Sequence, residues 1–369
     1  MPTTTTPIRT GIIGFGLAGR VFHAPFIATN PAFRLDLIST ANPDRAAEAA
    51  AQHPGAEIVA TPDELLARAG DLDLVILASP AHTHLEQGLA ALDAGAAVVI
   101  DKPFVPTVSD AKKLIAAAED ADRVLTVFQN RRWDGDFLTL RALVEQGELG
   151  RIVHLESAFD RYRPVVRDRW RESAEPGAGL WFDLGPHLLD QALQLFGTPQ
   201  AIALDQAVLR DSGRCDDWFQ ARLCYPGRRV VLRASMLAAA ASPRFVVHGT
   251  RGSWVKQGLD PQEEALKAGA RPTWPAAPGW GADRQPSLLT RAGADALRTE
   301  PLPLCCGGHG AFYAALRDAL QGLGDNPVPA SQACAVMAWL ELGQRSAREG
   351  RECGAEAPEG LDTSGIAPG

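Results

Sequence analysis

The sequence predicts an α/β protein: a doubly wound parallel sheet in the first third, then an α+β domain on a mainly antiparallel sheet. Two observations predict it. Short β-rich runs alternate with Ala-rich helical segments as far as Phe128. Beyond Phe128, longer strands with polar alternation follow one another directly.

The runs "TGIIGF", "RLDLIST", "DLVILAS", "AAVVID" and "RVLTVF" are the first-domain strands, and "DRAAEAAAQ", "HLEQGLAALDAG" and "SDAKKLIAAAED" are helices between them. Strands separated by helices pair in parallel through right-handed crossovers. The first domain therefore covers residues 1–128. A second, 129–350, opens with the helical "GDFLTLRALVEQGELG" and the strand-like "RIVHLESAFDRY". A charged loop, a helix at "DLGPHLLD" and the strands "AIALDQAVLR", "DDWFQARLCY", "RRVVLRASML" and "RFVVHGT" follow. Such strands make an antiparallel sheet with helices on one face. Residues 262–303, rich in Pro, Gly and Trp, show no period; two terminal helices follow, and 351–369 reads as a flexible tail.

A chain of 369 residues with 46% hydrophobic and 22% charged residues is long enough for two cores. Its net charge is -8, and its lysines and arginines are scattered, which argues against nucleic acid or an anionic membrane as partner. No stretch reads as a membrane span or signal peptide, so the cytoplasm is the expected location. Six cysteines lack CxxC spacing, and no metal site is expected. The adjacent Cys305 and Cys306 read either as reactive thiols or as inert packing residues.

"TGIIGFGLAGRVFHAPF" sets Gly14, Gly16 and Gly19 in GxGxxG spacing between a strand and a helix. The three glycines allow a tight turn, close approach to a pyrophosphate and close helix-to-strand packing. A dinucleotide is the expected ligand, with Leu17 and Ala18 in the same turn. At the end of the second strand, where NAD binders usually carry a carboxylate, stand Ser39 and Thr40, followed by Arg45. Two hydroxyls and a guanidinium suit a 2'-phosphate, which favours NADP with NAD as the alternative; Arg45 could equally face solvent. Ser79, Pro80 and His84, after "DLVILAS", complete the expected cofactor edge.

"IDKPF" places Lys102 and Pro103 at the carboxyl end of a parallel strand, where ligand crevices form, and both are expected beside the cofactor. A surface lysine that happens to precede a proline is the alternative. In "DLGPHLLD", Asp183, His187 and Asp190 share one helical face while Leu184, Leu188 and Leu189 serve the core. Alone, that stripe reads as a solvated face as readily as a site. Together, a lysine, a histidine and a carboxylate are what a metal-free alcohol dehydrogenase needs: a proton acceptor, a cation for the developing alkoxide and a group to orient them.

The GxGxxG turn, the lysine-proline pair and the DxGxHxxD helix together resemble the Gfo/Idh/MocA oxidoreductase family. One departure is Asp101 where the family commonly has Glu. The resemblance implies a Rossmann domain joined to a domain with a large open sheet, through which members associate as homo-oligomers. It implies that Lys102, Asp183 and His187 form the catalytic group, with His187 as proton carrier. "FQNRRWDGDFLTL", "FDRYRPVVRDRWRE" and "GLDPQEEALKAG" look like the branch containing NADP-dependent scyllo-inositol dehydrogenases. That implies a small-molecule polyol or sugar as substrate.

Asn130, Arg131 and Trp133, with Tyr162, Arg169 and Trp170 in the charged loop, are the expected substrate contacts, because donors and acceptors around aromatic rings suit a hydroxylated ring. These arginines could also be surface groups, and Arg163 or Arg169 could reach the cofactor phosphate. Two further readings are the same chemistry on another sugar or carbonyl compound, and a non-catalytic dinucleotide sensor.

Overall fold

In the computed structural model, residues 6–175, 177–293 and 295–354 are described. The first strand, β1 (Ile8–Ile13), leads through the glycine turn into a π-helical turn (Ala18–His23) and α1 (Ala24–Thr29). Next come β2 (Phe33–Ser39), α2 (Pro43–Gln52), β3 (Glu57–Val59), α3 (Pro62–Leu66) and β4 (Leu74–Leu77). Then follow α4 (His84–Asp93), β5 (Ala97–Asp101), α5 (Val108–Asp120) and β6 (Leu125–Phe128). The six strands are all parallel, in the order β3-β2-β1-β4-β5-β6. β4 is buried throughout and β5 nearly so, as strands covered by helices on both faces must be. Side chains start the helices: Asn42 accepts from the Arg45 amide, Thr61 from Glu64 and Thr107 from Asp110. β3 was not read from the sequence, because three residues carry no period.

The second sheet has nine strands. After α6 (Gly135–Glu145) come β7 (Ile152–Asp160), α7 (Leu180–Phe196), β8 (Ala201–Ala207), β9 (Trp218–Tyr225), β10 (Arg228–Ser235), β11 (Pro243–Gly249) and β12 (Gly252–Gln257). Then α8 (Gln262–Lys267), β13 (Ser287–Ala292), β14 (Leu297–Pro301), α9 (Gly310–Leu320), α10 (Ala330–Glu349) and β15 (Cys353–Gly354) finish the described chain. The sheet order is β14-β13-β12-β11-β7-β10-β9-β8-β15, antiparallel except for the β7-β10 pair. Inward positions such as Phe219, Leu232, Val247 and Trp254 form one core with Trp181, Leu184 and Leu188 of α7.

The two compact units are not contiguous in sequence. One holds the parallel sheet as far as Trp133 together with Gln262–Trp280 and Gly308–Cys334; the other holds the larger sheet. The expected break after residue 128 therefore falls five residues early, and two later segments join the first unit. Their attachment is visible at Thr126, whose hydroxyl donates to the Val328 carbonyl at 2.9 Å, and at Phe128, whose ring meets the edge of Phe312. Within the expected tail, Cys353 and Gly354 pair with β8, and residues 355–369 lie outside the described ones. Among the described residues, no helix is long and apolar enough to cross a membrane.

Candidate active site

The glycine turn has the space that a pyrophosphate needs. Gly14 has φ +96°, and a Cβ there would lie 2.7 Å from the Ala78 carbonyl oxygen. A Cβ on Gly19 would stand 2.0 Å from the Gly14 oxygen, so the helix packs on the turn at a distance only glycine permits. Gly16 is open: among the described residues only Arg45 Nη1 comes within 4 Å of its Cβ position, at 3.9 Å. The residues thus fit a dinucleotide, with a clear approach at Gly16 and a guanidinium beside it. Leu17 is exposed, Ala18 and Thr40 are half-buried, and Ser39 is buried with its carbonyl accepting the Gly14 amide at 3.0 Å.

Two further loops leave the same carboxyl edge. After β4, Ser79 donates its hydroxyl proton to Gln87 at 2.6 Å, and Pro80 is exposed. After β5, Lys102 and Pro103 are half-buried and joined by a cis peptide bond. His84 is placed differently from the expectation of a cofactor contact. Its ring is buried, with Nδ1 2.8 Å from the Phe104 carbonyl oxygen and Nε2 2.9 Å from that of Ser79. Burial lowers its pKa, and the Phe104 and Ser79 carbonyls act against that. It ties the Ser79 loop to the loop that carries Lys102.

Asn130, Arg131 and Trp133 fasten their own unit. Asn130 is buried, Arg131 is buried in an ion pair with Glu263, and the Trp133 ring meets the edge of Phe312 at 5.5 Å. The Trp133 carbonyl accepts from the Gln262 side chain and the Gly308 amide. Two of the three residues expected at substrate, Arg131 and Trp133, thus hold segments 262–280 and 308–334 to the parallel sheet. Nothing in a single sequence distinguishes these tasks.

In the other unit, α7 begins at Leu180, three residues before the stretch that announced it. Gly179, at φ +100°, precedes it, and the Asp216 carboxylate accepts the Trp181 amide at 2.7 Å. Burial pushes the Asp216 carboxyl up to about 6, against the pull of that amide. The stripe is not a solvated face: His187 and Asp190 are 4% and 2% exposed, and Asp183 is half-buried. Asp183 Oδ1 lies 3.5 Å from Nε of Arg171, a half-exposed residue that sequence reasoning did not single out.

A second arginine anchors the helix to the sheet. Arg244 lies buried between the Phe159 and Phe245 rings, 4.3 and 4.0 Å from their centroids. It donates to Gln191 at 2.7 Å and Ser157 at 2.6 Å, and its Nε is 3.6 Å from Asp136.

The loop before α7 is built on Glu172, which pairs with Arg169 at 2.6 Å and Arg210 at 3.0 Å; Arg210 also binds Asp217. Burial alone would raise the Glu172 carboxyl, but the Arg167 amide and the two guanidinium groups outweigh it and hold it below its ordinary value. Arg169 is therefore committed to the loop's own structure, and Arg163 gives its carbonyl to Arg210. Tyr162 and Trp170 are exposed, at 60% and 42%.

The glycine turn, the Lys102 loop and the Asp183–Asp190 face lie within matches to family models. Residues 8–129 match a model described as an oxidoreductase family with an NAD-binding Rossmann fold. Residues 137–255 match the GFO/IDH/MocA C-terminal domain. The chain belongs to the Gfo/Idh/MocA oxidoreductase family. As a member it is an NAD(P)-binding oxidoreductase.

One relative in the Gfo/Idh/MocA family, the uncharacterized oxidoreductase YdgJ of Escherichia coli, is 49% identical over 92% of this chain and 96% of its own length. Another, scyllo-inositol 2-dehydrogenase (NADP(+)) IolW of Bacillus subtilis, is 34% identical over 93% and 95%. The solved structure of the oxidoreductase YPO2259 from Yersinia pestis superposes with a TM-score of 0.90 at 44% identity, covering 95% of this chain and 98% of that one.

Proposed function

We propose that the protein is an NADP-dependent dehydrogenase that oxidises a ring hydroxyl of a cyclitol or related polyol, or reduces the corresponding ketone. The observation that carries this reading is Arg45 beside the open face of Gly16, where a 2'-phosphate would be neutralised. The relative named as an NADP(+)-dependent scyllo-inositol dehydrogenase supports both cofactor and substrate class.

In this reading Lys102, Asp183 and His187 are the catalytic residues. His187 takes the hydroxyl proton, the Lys102 ammonium stabilises the developing alkoxide, and Asp183 orients its neighbours while Arg171 holds its carboxylate. NADP, when bound, supplies the hydride acceptor. Tyr162 and Trp170, exposed on the loop before α7, are available to an apolar sugar face.

We assign the enzyme to the cytoplasm, where the free thiols of Cys215, Cys224, Cys305, Cys306 and Cys353 would stay reduced. It associates as a homo-oligomer through the large sheet, whose β10 alternates buried residues with half-exposed ones such as Val231 and Arg233. Light scattering at micromolar concentration should give a dimer or tetramer mass; a monomer overturns that part.

The deciding experiment is a screen of inositols and aldoses, and of ketone reduction, with NADP and with NAD. NADP reduction with an inositol supports the reading. Turnover confined to aldoses or another carbonyl compound replaces the substrate, and binding without any turnover makes the protein a sensor.

A further inference from the structure

We infer that Cys305 and Cys306 form a redox-active dithiol, a site at which a small-molecule disulfide oxidises two neighbouring thiols to a bond between their sulfurs. The pair lies outside the nicotinamide chemistry and shares none of the residues proposed for it.

The six cysteines divide by their surroundings. Cys334 and Cys353 are 1% and 0% exposed and pack as small apolar side chains. Cys215 and Cys224 are half-buried, and each sulfur already has an acceptor, the Arg171 carbonyl at 3.6 Å and the Glu352 carboxylate at 3.1 Å. Burial, with the Asp216 charge adding to it, pushes the Cys215 thiol up; burial and the bond to Glu352 do the same to Cys224. The thiolate is the attacking species, so both are slow nucleophiles near neutral pH. Cys305 and Cys306 are the two that stand exposed. A packing role, which the sequence left open for them, is thus excluded.

Their backbone, by contrast, is held. The Cys305 amide donates to the Thr139 hydroxyl at 2.8 Å, and that hydroxyl donates to the Gly135 carbonyl at 2.7 Å. The Cys305 carbonyl oxygen lies 2.3 Å from where a Cβ on Gly135 would be, so the segment rests on the first turn of α6 at a distance only glycine permits. One residue past the pair, the Gly307 amide donates to the Gly281 carbonyl at 3.1 Å. A held chain with exposed cysteines on adjacent positions keeps a second thiol close to whatever reacts at the first.

Exchange proceeds in two steps. One thiolate attacks a sulfur of the small disulfide RSSR; the S–S bond breaks, RS⁻ leaves and takes a proton from solvent, and a mixed disulfide remains on the chain. The neighbouring thiolate attacks the chain's own sulfur in that bond and expels the second RSH, which closes the bond between Cys305 and Cys306. Two cysteine thiols are oxidised, and one RSSR is reduced to two RSH. Adjacent Cα atoms stand ~3.8 Å apart across a trans peptide, short of the ~4.4 Å at which ordinary disulfides begin, so the ring is strained and reopens readily to thiols.

Oxidised glutathione is the probe. The full chain with its thiols reduced is incubated with it near neutral pH, alkylated at intervals and digested for mass spectrometry. The peptide carrying Cys305 and Cys306 should lose both thiols at least ~3-fold faster than Cys215 and Cys224 lose theirs, and end two hydrogens lighter with no glutathione attached. Cys305→Ser and Cys306→Ser should instead each hold one glutathione on the remaining sulfur, because no neighbour expels it. Reduced glutathione in excess should restore both thiols of the parent. An adduct that persists in the parent as it does in the single variants overturns the inference. So does a smaller margin over Cys215 and Cys224, a bond that joins two chains, or a closed bond that reduced glutathione leaves intact.

Discussion

The Asp216 carboxylate reaches Trp181 only because Gly179 has no side chain: it accepts the Trp181 amide at 2.7 Å and stands 2.0 Å from where a Cβ on Gly179 would be. The first turn of the helix bearing Asp183 and His187 is thus capped by a residue 35 positions away. Asp216→Ala should cost about 1 kcal/mol in urea unfolding. Gly179→Ala should cost more, since it brings both the collision and an unfavourable φ of +100°. Unchanged midpoints in both variants would remove the cap from this account.

Arg45→Ala should weaken NADP by ~10-fold or more and leave NAD within ~2-fold, measured by titration of each cofactor. Equal losses for both cofactors would mean that the guanidinium does not read the 2'-phosphate.

Lys102→Met and His187→Ala should each slow hydride transfer by at least ~100-fold while NADP affinity stays within several-fold. Single-turnover absorbance of the reduced cofactor is the measurement. Parental rates in either variant would end the catalytic assignment.

Asp136 gives a pH signature. It is wholly buried, and burial pushes its carboxyl up to about 7; Arg244 opposes this, while Asp134 and Asp260 add to it. In the unfolded chain a carboxyl ionises near ~4. The folded state therefore holds a proton that the unfolded state releases, and its contribution, present below about pH 4, is lost as pH rises toward about 7. Asp136→Asn should raise stability at pH 8 by at least ~1 kcal/mol and change little at pH 4. The reverse order in denaturant curves at the two pH values would show that the carboxylate is charged and compensated.

Much of the nucleotide half was legible in the sequence because its signals are local. Glycines at fixed spacing between a strand and a helix need only the next few dozen residues for their meaning. Arg171 and Asp216 were not legible, since their partners are set by how β7, α7 and β9 fold together. β12, β13 and β14 escaped notice for a different reason: the last two lie in or beside a stretch whose Pro, Gly and Trp content hides any alternation. Arg131 is a similar case. An arginine beside a tryptophan reads as ligand chemistry, and its pairing with Glu263, 132 positions on, has no sign in the sequence.

The parallel contact of β10 with β7 has a further effect on motion. Everything between those strands, α7 included, is one crossover whose two ends are hydrogen-bonded side by side at the centre of the nine-stranded sheet. The segment with His187 lies on that sheet's face, with Leu184, Leu188 and Leu189 in the core it shares with Leu232 of β10. The backbone amides of residues 184–193, Pro186 having none, should therefore be among the slower to exchange in deuterated solvent, while the loop before the helix exposes Tyr162 and Trp170.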